Sequence, residues 1–142
     1  MSRHDEDLYE WAAETVELIR GGHGSAIDLE AVAEELEELM GNTRRELYRR
    51  LRVLLAHLLK WEYQPERHSA SWRGTIRIQR DDIAQLLKQS PSLKRLVPEQ
   101  IAEAYEPARE LAADETGLAL ETFPERCPYS LERVLDPEWW PQ

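Results

Sequence analysis

The sequence predicts an all-helical protein, a compact multi-helix bundle of about five helices followed by an irregular, aromatic- and proline-rich C-terminal segment. Three observations carry this. Good helix formers (Ala, Leu, Glu, Arg, Lys, Gln, Met) make up 81 of the 142 residues. Val and Ile together number 11 against 20 Leu, too few β-branched side chains for a sheet-based core. Apolar residues recur at three- and four-residue spacing over several long windows. Cys127 is the only cysteine, which excludes an intrachain disulfide and a four-cysteine zinc site. No apolar run approaches the length of a membrane span, and the acidic start lacks the pattern of a secretory leader. The expectation is a single cytoplasmic domain over residues 1–142, with the bundle over about 5–117 and a wrapping segment over about 118–142.

The first helix is expected from about Asp5 to Arg20, with Leu8, Trp11, Ala12, Thr15, Leu18 and Ile19 on one stripe and Gly21-Gly22 stopping it. Asp28 caps a second helix, with Ile27 and Val32 placed as a hydrophobic staple. Its apolar positions are Leu29, Val32, Ala33, Leu36, Leu39 and Met40, opposite Glu30, Glu34, Glu37 and Glu38. Gly41-Asn42 then interrupts the pattern, and Thr43 with Glu46 reads as a capping box. The stripe nevertheless continues in phase through Leu47, Leu51, Leu54, Leu58 and Trp61, so residues 28–63 read as one kinked helix or as two. A turn or sharp kink near Gly41 is the favoured expectation. The stretch from Arg44 to Tyr63 is the most apolar and should be the central element, ended by Gln64-Pro65. Ser69 or Ser71 caps a further helix to about Gln89. Pro98 opens another, lasting to about Thr116 and stopped by Gly117. Beyond it Phe123, Tyr129, Leu131, Trp139 and Trp140 are too many large apolar groups for a free tail, so this segment should dock on the bundle or on a partner copy.

Charge falls in blocks. Residues 1–40 carry 12 acids and 2 bases, residues 41–95 carry 5 and 13, and residues 96–142 carry 11 and 3, for a net charge of −10. An acidic protein is repelled by polyphosphate at long range, which counts against a dedicated nucleic-acid binder. The basic middle still offers a candidate anion- or partner-binding group: Lys60, Tyr63, Arg67, His68, Trp72, Arg73, Arg77 and Arg80, in which arginine forks suit carboxylate or phosphate and aromatics supply stacking surface. The bland alternative is that the tryptophans are core and the arginines pair with the acidic row from Glu99 to Asp114.

Chemistry-bearing motifs are few. No two histidines stand at a helical metal-ligand spacing and no Glu-x-x-His string occurs, so neither a zinc site nor a di-metal carboxylate bundle is expected, and no cofactor. His57 lies in the apolar run and reads as a satisfied core histidine. Cys127 could be sensitised by Arg126, but a nucleophile needs a base that the sequence does not place. Phosphate-cradling glycine loops of the GxxxxGK[ST] and GxGxxG kinds are absent.

The strings DLYEWAAETVELIRGG, IDLEAVAEELEEL, RLRVLLAHLLKWEYQPERHSASWRGTI and ETFPERCPYSLERVL resemble the bacterial family called domain of unknown function 29. The similarity runs from about Asp7 to Trp140, and the HLLKW, QPER and CPY strings are its specific marks. The resemblance implies an all-helical, single-domain bacterial protein and brings no activity, cofactor or catalytic residue. Two functions are therefore weighed. The leading one is a non-enzymatic protein-interaction module, whose partner is another protein or a second copy of itself. The other is a small regulator that binds nucleic acid or another polyanion through the basic centre. An enzyme using His68 or Cys127 ranks third.

Overall fold

The computed structural model describes residues 3–142. It is all-helical, with no strand among the described residues. The α-helices are α1 (Arg3–Glu6), α2 (Leu8–Arg20), α3 (Leu29–Tyr63), α4 (Ala70–Gln89), α5 (Val97–Thr116) and α6 (Leu131–Leu135), joined by short 3₁₀ turns. The chain divides into two compact units, Met1–Thr43 and Arg44–Gln142.

In the first unit, Asp7 separates α1 from α2 and caps α2 by accepting from the Glu10 amide. Gly21 is the C-cap of α2, and Gly22 takes the positive φ of 77° that the turn beyond it requires. Asp28 accepts from the Ala31 amide and starts α3. His4 is buried, edge-on to Trp11 at a centroid distance of 4.7 Å and hydrogen-bonded to Glu35.

The expected break near Gly41 does not occur. Helix α3 runs without interruption for 35 residues. The Thr43 hydroxyl, read as a cap, instead donates back to the Leu39 carbonyl four residues earlier, a bond that lets threonine sit inside a helix. A single glycine costs a helix only about 1 kcal/mol, too little by itself to end one that is anchored from Leu47 onward by buried leucines.

The second unit is built on the C-terminal part of that helix. Leu47, Leu51, Leu54, Leu55, Leu58 and Leu59 are fully buried, with Ile76 and Ile83 of α4 and Val97, Ala104 and Ala108 of α5. Ser69 caps α4 by accepting from the Trp72 amide. Gly117, at φ 76°, ends α5 in the left-handed region. From there the segment 118–142 lies on the core: Phe123, Tyr129 and Val134 are buried in it, and Trp139 and Trp140 pack against it.

Leu54→Asp and Leu58→Asp should each place an unpaired carboxylate at a site with no solvent exposure, at a cost of several kcal/mol. Leu36→Asp, on the same helix stripe but more than half exposed, should leave the melting temperature within about 2 °C of the parent. Thermal melts of the three variants measure how sharply burial changes along one helix.

Candidate functional site

Lys60, His68, Arg73, Arg77 and Arg80 of the middle segment lie at tryptophan rings. Trp61, near the end of α3, is stacked on one side by His68 (centroids 3.6 Å apart, planes 20° apart), and Trp140 lies 4.7 Å from it. His68 is fixed because its Nε2 donates to the Trp61 carbonyl at 2.6 Å. Arg73 lies over Trp61 at 5.7 Å, and Arg77 and Arg80 lie over Trp140 at 6.0 and 5.8 Å, within reach of a cation–π attraction. Helical periodicity explains the row, since positions 73, 77 and 80 of α4 fall on one face.

These cations do different work. Arg80 is buried, and its fork is consumed by the tail: Nε donates to the Val134 carbonyl at 2.9 Å, Nη1 to that of Trp139 at 2.7 Å and Nη2 to that of Arg133 at 3.0 Å. Lys60 is also buried, paired with Glu115 at 3.0 Å and lying over Trp72 at 4.9 Å. Arg73 and Arg77 are exposed and form no ion pair among the described residues. The acidic row from Glu99 to Asp114 is not what holds the arginines of α4: Arg80 is taken up by main-chain carbonyls, and Arg73 and Arg77 lie over tryptophans. Arg73, Arg77 and His68 line a cleft of about 360 Å³ completed by Ser69, Ala70 and Gly74, without a carboxylate in its lining. A second cleft of about 420 Å³ lies between Arg77 and Arg80 on one side and Leu135, Pro137 and Trp140 on the other, and there Asp81 and Glu138 offset the positive charge. Arg67 stands exposed in the turn after α3, and Tyr63 packs edge-on to Phe123 at 5.5 Å.

The tail is tied down along its length. The Tyr105 hydroxyl donates to the Pro124 carbonyl, Arg109 donates to the Phe123 carbonyl, and the Tyr129 hydroxyl lies 2.9 Å from Glu62 and 3.2 Å from the Leu58 carbonyl. Burial holds the Tyr105 and Tyr129 hydroxyls well above the ordinary phenol range. Burial likewise pushes the Cys127 thiol up, and its Sγ lies 3.6 Å from the Tyr129 carbonyl. His57 is half-buried rather than part of the core, donates to the Val53 carbonyl, and has its pKa lowered by burial. Among the described residues no group of three or more His, Cys, Asp or Glu is placed to share a metal ion.

A second surface was not legible as one. Nine large apolar side chains are exposed among the described residues, and eight precede Thr43: Leu8, Tyr9, Val16 and Ile19 on α2, and Leu29, Leu36, Leu39 and Met40 on α3. The sequence reads Leu8, Ile19, Leu29, Leu36, Leu39 and Met40 as parts of the apolar faces of two helices, whereas Tyr9 and Val16 lie off those stripes. The signal that could have marked them is the charge: the same segment holds 12 acids and 2 bases.

These contacts define an all-helical protein in which a C-terminal segment is clamped onto the bundle by a buried arginine. The chain belongs to the family described as Domain of unknown function DUF29, whose model matches residues 4–140. No curated protein and no solved structure matches it. No helix of the described residues is long and apolar enough to cross a membrane.

Arg80→Ala should leave three tail carbonyls without their donor and destabilise the protein by about 3 kcal/mol. Arg80→Lys should recover little of this, because an ammonium cannot present a planar fork. Tryptophan emission should shift to the red in both variants as Trp139 and Trp140 leave the core. Truncation after Asp136 should lower the melting temperature while the helical circular dichroism signal persists.

The two buried phenols add a pH dependence. They stay protonated in the folded state at pH values where tyrosines of the unfolded chain ionise, near pH 10. Their stabilisation is complete below that pH and is lost as pH rises beyond it. The melting temperature should therefore fall steeply above about pH 10, and less steeply in a Tyr105→Phe/Tyr129→Phe variant.

Proposed function

We propose that the protein is a non-enzymatic protein-interaction module. One observation carries this reading: the apolar stripe of α3 is core from Leu47 onward, yet its N-terminal continuation, Leu29, Leu36, Leu39 and Met40, is more than half exposed at every one of these residues. Chains in water tend to keep such rows covered, and a row left open marks a surface that another molecule covers. The test is capture from the host with the parent protein and with Leu36→Glu/Met40→Glu, whose fold is checked by circular dichroism. A protein retained by the parent and lost by the variant supports the module. If everything captured is captured equally by the variant, the stripe is not an interaction surface.

A second reading is favoured by a separate observation: Arg73 and Arg77 share a cleft that no carboxylate lines. This is the arrangement a polyanion would use. Two phosphate contacts predict that log affinity for a single-stranded oligonucleotide falls against log salt with a slope of about −1.4. Arg73→Ala/Arg77→Ala should flatten that slope. Equal binding by both proteins at all salt concentrations would remove this reading.

A further inference from the structure

We infer that the exposed stripe of α3 is the docking face for a basic amphipathic helix of another protein. The inference rests on the interaction reading above and adds the chemistry of the partner.

Three observations select it. The stripe is helical in register, with Leu29, Leu36 and Met40 at seven- and four-residue spacing and in phase with the buried Leu47 and Leu51. In the second unit this row is covered by other helices of the same chain, so the surface that fits its continuation is another helix face. The flanks are uniformly acidic. Between Leu29 and Met40 there are five glutamates and no lysine or arginine, within a segment of net charge −10. A partner that covers the leucines must therefore lie beside carboxylates.

That charge decides among occupants. A second copy of the same segment would set one −10 segment against another, a repulsion that apolar contact alone would have to overcome. The basic middle of a second copy has the right sign, but Ile78 is its only exposed large apolar side chain, one against four. An anionic bilayer is repelled for the same reason as the acidic segment. A helix bearing leucines on one face and Lys or Arg beside them meets both demands. Its apolar residues fill the row, and its cations reach Glu30, Glu34 and Glu37, all of which are exposed.

The experiment uses the full chain and three labelled peptides of about 14 residues, four helical turns. The first is a Leu/Lys peptide with leucines at helical spacing, the second has its composition scrambled, and the third replaces Lys with Glu. Fluorescence anisotropy should show binding of the first at least about tenfold tighter than of the second, and none of the third. Leu36→Glu/Met40→Glu should weaken the first by on the order of thirtyfold, whereas Ile78→Glu should leave it unchanged. The assignment is overturned if the scrambled or Leu/Glu peptide binds as well. It is also overturned if no peptide binds, if neutral phosphatidylcholine vesicles bind where the peptide does not, or if the chain self-associates through Leu36. Failure of the Leu/Lys peptide, alongside a captured partner that still depends on the stripe, removes the basic-helix assignment and leaves the interaction module standing. A captured partner indifferent to the stripe removes both.

Discussion

Burial of one row of leucines, Leu47 to Leu58 on α3, is the interaction on which the second unit depends. Each leucine of the row is shielded completely from solvent, and α4, α5 and the C-terminal segment all contribute side chains to the core around it. Each fully buried leucine contributes on the order of 2 kcal/mol, so the row outweighs any single polar contact in the structure. The polar contacts decide where the covering segments sit. Arg80 is the best example, since one guanidinium collects carbonyls from residues 133, 134 and 139 and so sets the path of the tail across α4.

That arrangement explains why two of the clustered cations, Lys60 and Arg80, are interior groups and not part of the charged surface. Lys60 and Arg80 are interior groups whose charge is met locally, by Glu115 in one case and by main-chain dipoles in the other. Trp72 lies beside Lys60 and Trp140 beside Arg80, while Trp61 and Trp140 come within cation–π reach of Arg73 and Arg77. Arg73 and Arg77 are exposed at cation–π range of their rings and form no ion pair among the described residues, so both remain available beside a packed core.

Much of this was legible in the sequence. Helix content, the ends at Arg20, Tyr63, Gln89 and Thr116, and the caps at Asp28, Ser69 and Gly117 follow from periodicity and from local backbone chemistry. The uninterrupted course of α3 did not follow, because Gly41-Asn42 and the Thr43–Glu46 pair are local signals of a break, yet one glycine costs a helix little and the Thr43 hydroxyl is satisfied within the helix by the Leu39 carbonyl. The division of labour among the cations was also hidden. Spacing places Arg73, Arg77 and Arg80 on one face, but only the path of residues 133–140 singles out Arg80 for burial. The exposed state of Leu29 to Met40 was hidden for a related reason: a pattern shows which face is apolar and says nothing of what covers it.

A helix whose row of leucines is covered along one stretch and open along another is continuous in geometry but not in stability. The amides of α3 between Leu47 and Tyr63 can exchange with solvent only when the core around them opens. Those between Leu29 and Met40 are backed only by the smaller first unit and need a lesser opening. Protection from hydrogen exchange should therefore step down along a single unbroken helix, with the step near Thr43. Whatever settles on the open stretch draws its amides into the slow class.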